Sequence, residues 1–64
     1  MTEASAIHLR ALAADAKALQ QRLRDALSLD GMTPTVSFQL GEASASLGSA
    51  ARTMEAAAGE AAAV

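Results

Sequence analysis

Apolar and polar positions recur along this chain with a helical period, in two long blocks. In the first block, Leu9, Leu12, Ala16, Leu19, Leu23 and Ala26 follow at steps of 3, 4, 3, 4 and 3. That spacing lines up one face of a helix as a heptad seam. Ile7 and Leu27 widen the stripe on its flanks, as suits a packed bundle better than a strict two-stranded coil. The second block has its own seam: Val36, Leu40, Ala43, Leu47, Ala50, Met54, Ala57 and Ala61 step by 4, 3, 4, 3, 4, 3 and 4. Between the two lies Gly31-Met32-Thr33, too short to be anything but a turn.

Local signals agree with this division. Alanine, leucine, arginine, glutamine and lysine dominate the first block, and all favour helix. The spacing predicts a first helix from residue 2 to about residues 29–30. Thr2 is its expected N-cap, Glu3 complements the positive end of the dipole, and Asp30-Gly31 supplies the stop. Thr33 caps the second helix and Pro34 takes its first position, where a missing N–H costs nothing. A second helix over about 34–62 then completes an all-α, antiparallel two-helix hairpin, one small domain over residues 1–64. Gly59 and the uncapped Ala61–Val64 predict fraying at its end.

Residues 35–40 have a rival reading. Thr35-Val36-Ser37-Phe38-Gln39-Leu40 alternates polar with apolar and is rich in strand-favouring residues, with Pro34 before it and Gly41 after it as punctuation. The alternative is therefore α-β-α: a strand over 35–40 that pairs with its copy in a dimer, followed by a helix over 42–62. Phe38 separates the two readings. A strand puts it on one face with Val36 and Leu40, whereas a helix moves it off the seam.

Composition adds the question of stability. Eighteen of the 64 residues are alanine, Phe38 is the one aromatic, and there is no cysteine. Alanine buries little area, so one such chain is short of core, and small scaffolds are usually stapled by disulfide, metal or association. The absence of cysteine removes the first, and a single histidine argues against a histidine-based zinc site. Association remains, so the expected state is a homo-oligomeric bundle or a complex with another helical protein. The residues expected at the interface are Leu9, Leu12, Leu19, Leu23, Val36, Phe38, Leu40, Leu47 and Met54.

Charge narrows the partners. The net charge is −2, balanced up to Asp30 and acidic after Gly31, without the basic footprint of a nucleic-acid binder. Polar residues interrupt every apolar run well short of the ~20 residues a membrane span needs. No basic start precedes an apolar stretch, so no cleaved signal peptide is expected and a cytoplasmic location follows, with export by a route needing no cleaved signal left open.

The candidate chemistry is thin. His8 has no serine and acid partners implied nearby and reads as a structural first-turn residue. Asp15, Asp25 and Asp30 differ too much in helical phase to converge, and solvated acids are a better reading than a divalent-ion site shared with Glu42. Gly41 to Gly48 has the small-residue look of a phosphate loop but lacks the Gly-Lys-Ser/Thr ending. Arg10, Lys17 and Arg24 recur every seven residues beside the seam; they read as a solvated row, able to pair with Glu42, Glu55 or Glu60 across an antiparallel interface.

No set of groups is available to share catalysis, so the sequence predicts a non-enzymatic protein-binding module, a small adaptor or structural subunit without cofactor or metal. Its expected partners are itself or another helical protein. A short two-helix outline with a proline, Pro34, at the turn is similar to that of type III secretion needle subunits in size and turn alone. That likeness implies an alternative, a polymerising subunit of a secretion or phage-type assembly. A second alternative, a small antitoxin-like dimeric regulator, rests on the 35–40 strand.

Overall fold

A computed structural model describes residues 3–63. Two helices, α1 (Glu3–Ala26) and α2 (Pro34–Ala62), pack along each other over their length. The Cα framework measures 48 × 13 × 9 Å, so the molecule is a single layer of two rods.

The turn is built as the sequence dictates, with one difference. α1 stops at Ala26, three to four residues before the expected end. Leu27, Ser28 and Leu29 donate their amides to the carbonyls of Arg24, Asp25 and Ala26, each at 3.1 Å. These i→i−3 bonds tighten the last turn and use carbonyls that the helix end would otherwise orphan. Gly31 then takes φ +85°, a left-handed conformation open to glycine at little cost. Thr33 is extended, its hydroxyl accepts from the Val36 amide at 3.2 Å, and Pro34 opens α2. The N-cap expected at Thr2 lies outside the described residues.

The strand reading of residues 35–40 is overturned. That segment is the first two turns of α2, and no strand occurs among the described residues. The Thr33 cap and Pro34 start a helix there, and local alternation over six residues is weaker than a cap followed by a continuous apolar stripe. Gly41 continues the helix despite a propensity cost of about 1 kcal/mol. Without the strand, the antitoxin-like dimer loses the element through which it was to pair. At the far end, the Ala63 amide closes α2 on the carbonyls of Gly59 and Glu60, at 3.1 and 3.3 Å.

The seam between the helices is also rotated from the expected one. On α1 it runs Ala6, Leu9, Ala13, Ala16, Gln20 and Leu23; on α2 it runs Ser37, Leu40, Ser44, Leu47, Ala51, Met54, Ala58 and Ala61. Every second rung is as expected, and every other rung is displaced by one residue. Ala13 (1% exposed) replaces Leu12, and Ala51 (0%) replaces Ala50. Two enclosed clusters result. Ala6, Ala58 and Ala61 gather with Leu9 at the open end, and Ala13, Ala16 and Ala51 gather with Leu47 and Met54 in the middle.

The reason lies in the geometry of two rods. A residue on such a seam faces one neighbouring helix and is open to water on both sides, so only a side chain as short as alanine is fully enclosed. Among the described residues, no larger side chain is fully buried. Alanine, glycine and serine rungs let the axes approach, while the leucines and Met54 on alternate rungs lie along the groove. Towards the turn the contact becomes polar. Gln20 donates from Nε2 to the Ser44 carbonyl at 2.9 Å and lies directly over Gly48.

Candidate protein-binding face

The rotated seam sorts the remaining residues onto two broad faces of the layer. Residues one position after Leu9, Ala16, Leu23, Leu40 and Met54 fall on one flank: Arg10, Lys17 and Arg24 on α1, and Gly41 and Glu55 on α2. Lys17 Nζ reaches Glu55 Oε1 at 2.5 Å, so these two flanks meet on the same side. Arg10 lies 3.7 Å from Glu3 on its own helix. A shallow groove lined by Arg10, Ala14, Lys17 and Glu55 runs there. This is the polar face, and one member of the basic row bridges to an acid of α2.

The opposite face is apolar. Leu12 and Leu19, one position before the Ala13 and Gln20 rungs, fall there with Ala26 on α1, as do Val36, Ala43, Ala50 and Ala57, one position before the Ser37, Ser44, Ala51 and Ala58 rungs of α2. Leu12 is 39% exposed, Leu19 45% and Val36 39%. The solvent-facing sides of Leu9, Leu23, Leu40, Leu47 and Met54 border the same strip. Its outer rims are polar, with His8, Asp15 and Arg22 along α1 and Gln39, Ser46, Thr53 and Glu60 along α2. Asp15 and Arg22 are both exposed, and neither side chain makes an ion pair or hydrogen bond among the described residues.

The structure therefore divides the nine residues singled out by the sequence. Leu9, Leu23, Leu40, Leu47 and Met54 lie partly buried on the seam that joins the helices. Leu12, Leu19 and Val36 lie together on the apolar face. Phe38 stands alone, 69% exposed on the polar side of α2 near the turn, where the helical reading places it. The members missed are Ala43, Ala50 and Ala57, which were expected on the seam and instead line the apolar face. Nothing in the sequence separates Ala50 and Ala57 from Ala51 and Ala58, one residue further on and identical, and at Ala43 the polarity of Ser44 argues for the wrong rung.

The candidate chemistry finds no assembly. Among the described residues, no three of His, Cys, Asp and Glu gather as a metal site, and no buried side-chain polar atom lacks a partner. Gly41 to Gly48 is continuous helix rather than a loop, so its amides are bonded within α2 instead of facing a phosphate. No helix among the described residues is long and apolar enough to cross a membrane. Comparison with protein families, characterised proteins and solved structures gives no match to this chain.

Proposed function

We propose that this protein is a non-enzymatic binding module, a small adaptor or structural subunit, that works through the apolar face of its hairpin. One observation carries the reading: the fully enclosed rungs of the seam are alanines, while Leu12 and Leu19 stay 39% and 45% exposed on one face. Leu12 and Leu19 occupy the next-best phase of the α1 stripe, and a two-helix layer has nothing to cover them with. Stable domains are normally built from two packed layers, and the hairpin is one. A helical partner laid along Leu12, Leu19, Val36 and the Ala43/Ala50/Ala57 row supplies the second. Alanines on that row let the partner's backbone approach α2 closely, while the leucines on α1 reach into it.

The test is position-specific photo-crosslinking in cells that express the protein. A photoreactive side chain at Leu12, Leu19 or Val36 is expected to give covalent adducts with a protein, whether another species or this chain. The same group at Ala14, on the polar face, is expected to give none. An absence of adducts from all three apolar positions would refute the reading.

A further inference from the structure

We infer that the partner on the apolar face is a second copy of this chain, docked so that α1 crosses α1 antiparallel and the two turns lie at opposite ends of a four-helix bundle. The inference rests on the binding face proposed above and names its occupant.

Area is the first support. α1 has 24 residues and rises 1.5 Å per residue, so the face is about 35 Å long. Two helices packed 8–10 Å apart make it roughly 18 Å wide. Covering it removes on the order of 600 Å² of projected surface per copy, or ~1,200 Å² in total, the lower bound for a specific stable interface. The face, polar rims included, is thus just large enough for a specific dimer interface.

Charge supplies the orientation. A two-fold axis lying in the interface can run along the helices or across them. If it runs along them, α1 of one copy faces α2 of the other. The register set by Gln20 beside Ser44 and by Ala13 and Ala16 with Ala51 then brings Asp15 level with a stretch between Ser46 and Thr53 on the facing rim, and Arg22 level with one between Gln39 and Ser46. Both charges remain unpaired. If the axis runs across the helices, α1 faces α1 in the opposite direction. Asp15 and Arg22 are seven residues apart, on one rim, with opposite sign. An antiparallel two-fold centred near Leu19 therefore brings each Asp15 to the partner's Arg22, twice per dimer. The same centre puts Leu19 against its own copy and the large Leu12 opposite the small Ala26. On α2, the uncharged Ser46 and Thr53 fall near the middle of the rim, and the two Glu60 residues lie far apart. No like charges meet.

The experiment uses the full chain. Gel filtration with light scattering is expected to show a dimer at micromolar concentration, and a monomer throughout would overturn the inference. Asp15→Arg and Arg22→Asp each turn two attractions into two repulsions, and each is expected to weaken self-association about tenfold or more, as surface charge pairs allow. An equimolar mixture of the two variants restores complementary rims and is expected to recover the dimer. Failure of the mixture to associate better than either variant alone would overturn the pairing, whatever the separate variants do. Spin labels on Asp30→Cys are expected roughly 35 Å apart, from a 1.5 Å rise over the residues between the turn and the two-fold axis. A separation below ~20 Å would put the turns together and reject the antiparallel arrangement, since 35 Å follows only if that rise runs both ways from the axis. A monomer whose Leu19 still crosslinks to a different protein would end this inference and leave the binding face standing.

Discussion

The three glycines inside α2 offer a test in which the same substitution is expected to give two different answers. Adding a methyl at Gly41 or Gly59 meets no neighbouring atom within 4 Å, and both positions are exposed. There Gly→Ala contributes only the difference in helix propensity, about 1 kcal/mol in favour of the folded state. Neither position lies on the apolar face, so association is untouched. At Gly48 the added Cβ would lie 2.5 Å from Gln20 Nε2 and 3.4 Å from its Cδ. Gln20 must swing away and surrender its bond to the Ser44 carbonyl, a net loss of about 1 kcal/mol. The propensity gain is cancelled. For a chain of this size 1 kcal/mol shifts the melting temperature by roughly 4–8 °C. The Gly41→Ala/Gly59→Ala pair is therefore expected to melt some 8–16 °C higher by the same scaling, and Gly48→Ala is expected to melt near or below the parent. Thermal melts followed by circular dichroism at one fixed protein concentration provide the measure, because the proposed association would make the midpoint concentration-dependent. A fall in stability for Gly41→Ala would refute the continuous helix through residues 34–41. A gain at Gly48 equal to that at the other two would refute the close approach of the helices at Gln20.

Other substitutions test separate parts of the argument. Thr33→Ala removes the hydroxyl that accepts from the Val36 amide and is expected to cost about 1 kcal/mol in denaturant titration, whereas Thr33→Ser keeps the cap. Ala51→Leu overfills a fully enclosed rung and is expected to destabilise by about 1–3 kcal/mol. Ala45→Leu, on the exposed side of the same helix, is expected to change stability by no more than about 0.5 kcal/mol; equal effects at the two positions would contradict the seam. Lys17→Gln breaks the bridge to Glu55 between side chains that are 57% and 45% exposed. The expected loss is below about 1 kcal/mol, and it should vanish in high salt.

Much of the fold was legible because its signals are local or periodic. Thr33-Pro34 specifies a helix start within two residues, Gly31 marks the turn, and the two blocks of apolar spacing exceed any short-range competitor. The phase of the seam was not legible, for a physical reason. Leu9, Ala16 and Leu23 belong to two heptads at once, one completed by Leu12 and Leu19, the other by Ala13 and Gln20. Side-chain size favours the first when a stripe is read as core. A seam between only two helices favours the second, because enclosure there depends on shortness rather than on bulk. On α2 the choice between Ala50 and Ala51 carries no sequence signal at all. It follows from the α1 phase through the packing. The helix end at Ala26 was missed because Leu27 and Leu29 continue an apolar pattern after the backbone has tightened.

The two phases have opposite consequences once a second layer is considered. With Leu12 and Leu19 on the seam, the hairpin would hold its helices apart, each leucine would remain half in water, and the broad faces would carry mainly alanine. With Ala13 and Gln20 on the seam, the hairpin closes to a thin sheet of two rods, and the leucines stand on one face, where a second layer covers them from above while α2 and the chain's own neighbouring turns cover the sides. Burial of a leucine side chain contributes about 1.5–3 kcal/mol when complete. Leu12 and Leu19 are 39% and 45% exposed, so a little under half of that contribution is left to docking, and a two-fold dimer would realise that remainder four times. In the proposed dimer, part of the energetic gain of the observed phase is thus deferred from the fold of one chain to the meeting of two. It predicts that stability and association are coupled. The melting temperature of the native chain should rise steadily with protein concentration across the dissociation range. Replacing both Leu12 and Leu19 with glutamine, which keeps the helix propensity nearly constant, should abolish that dependence while leaving the Ala13–Ala51 seam intact. A concentration-independent midpoint in the native chain would show that the hairpin is stable alone and that its exposed leucines contribute nothing by being covered.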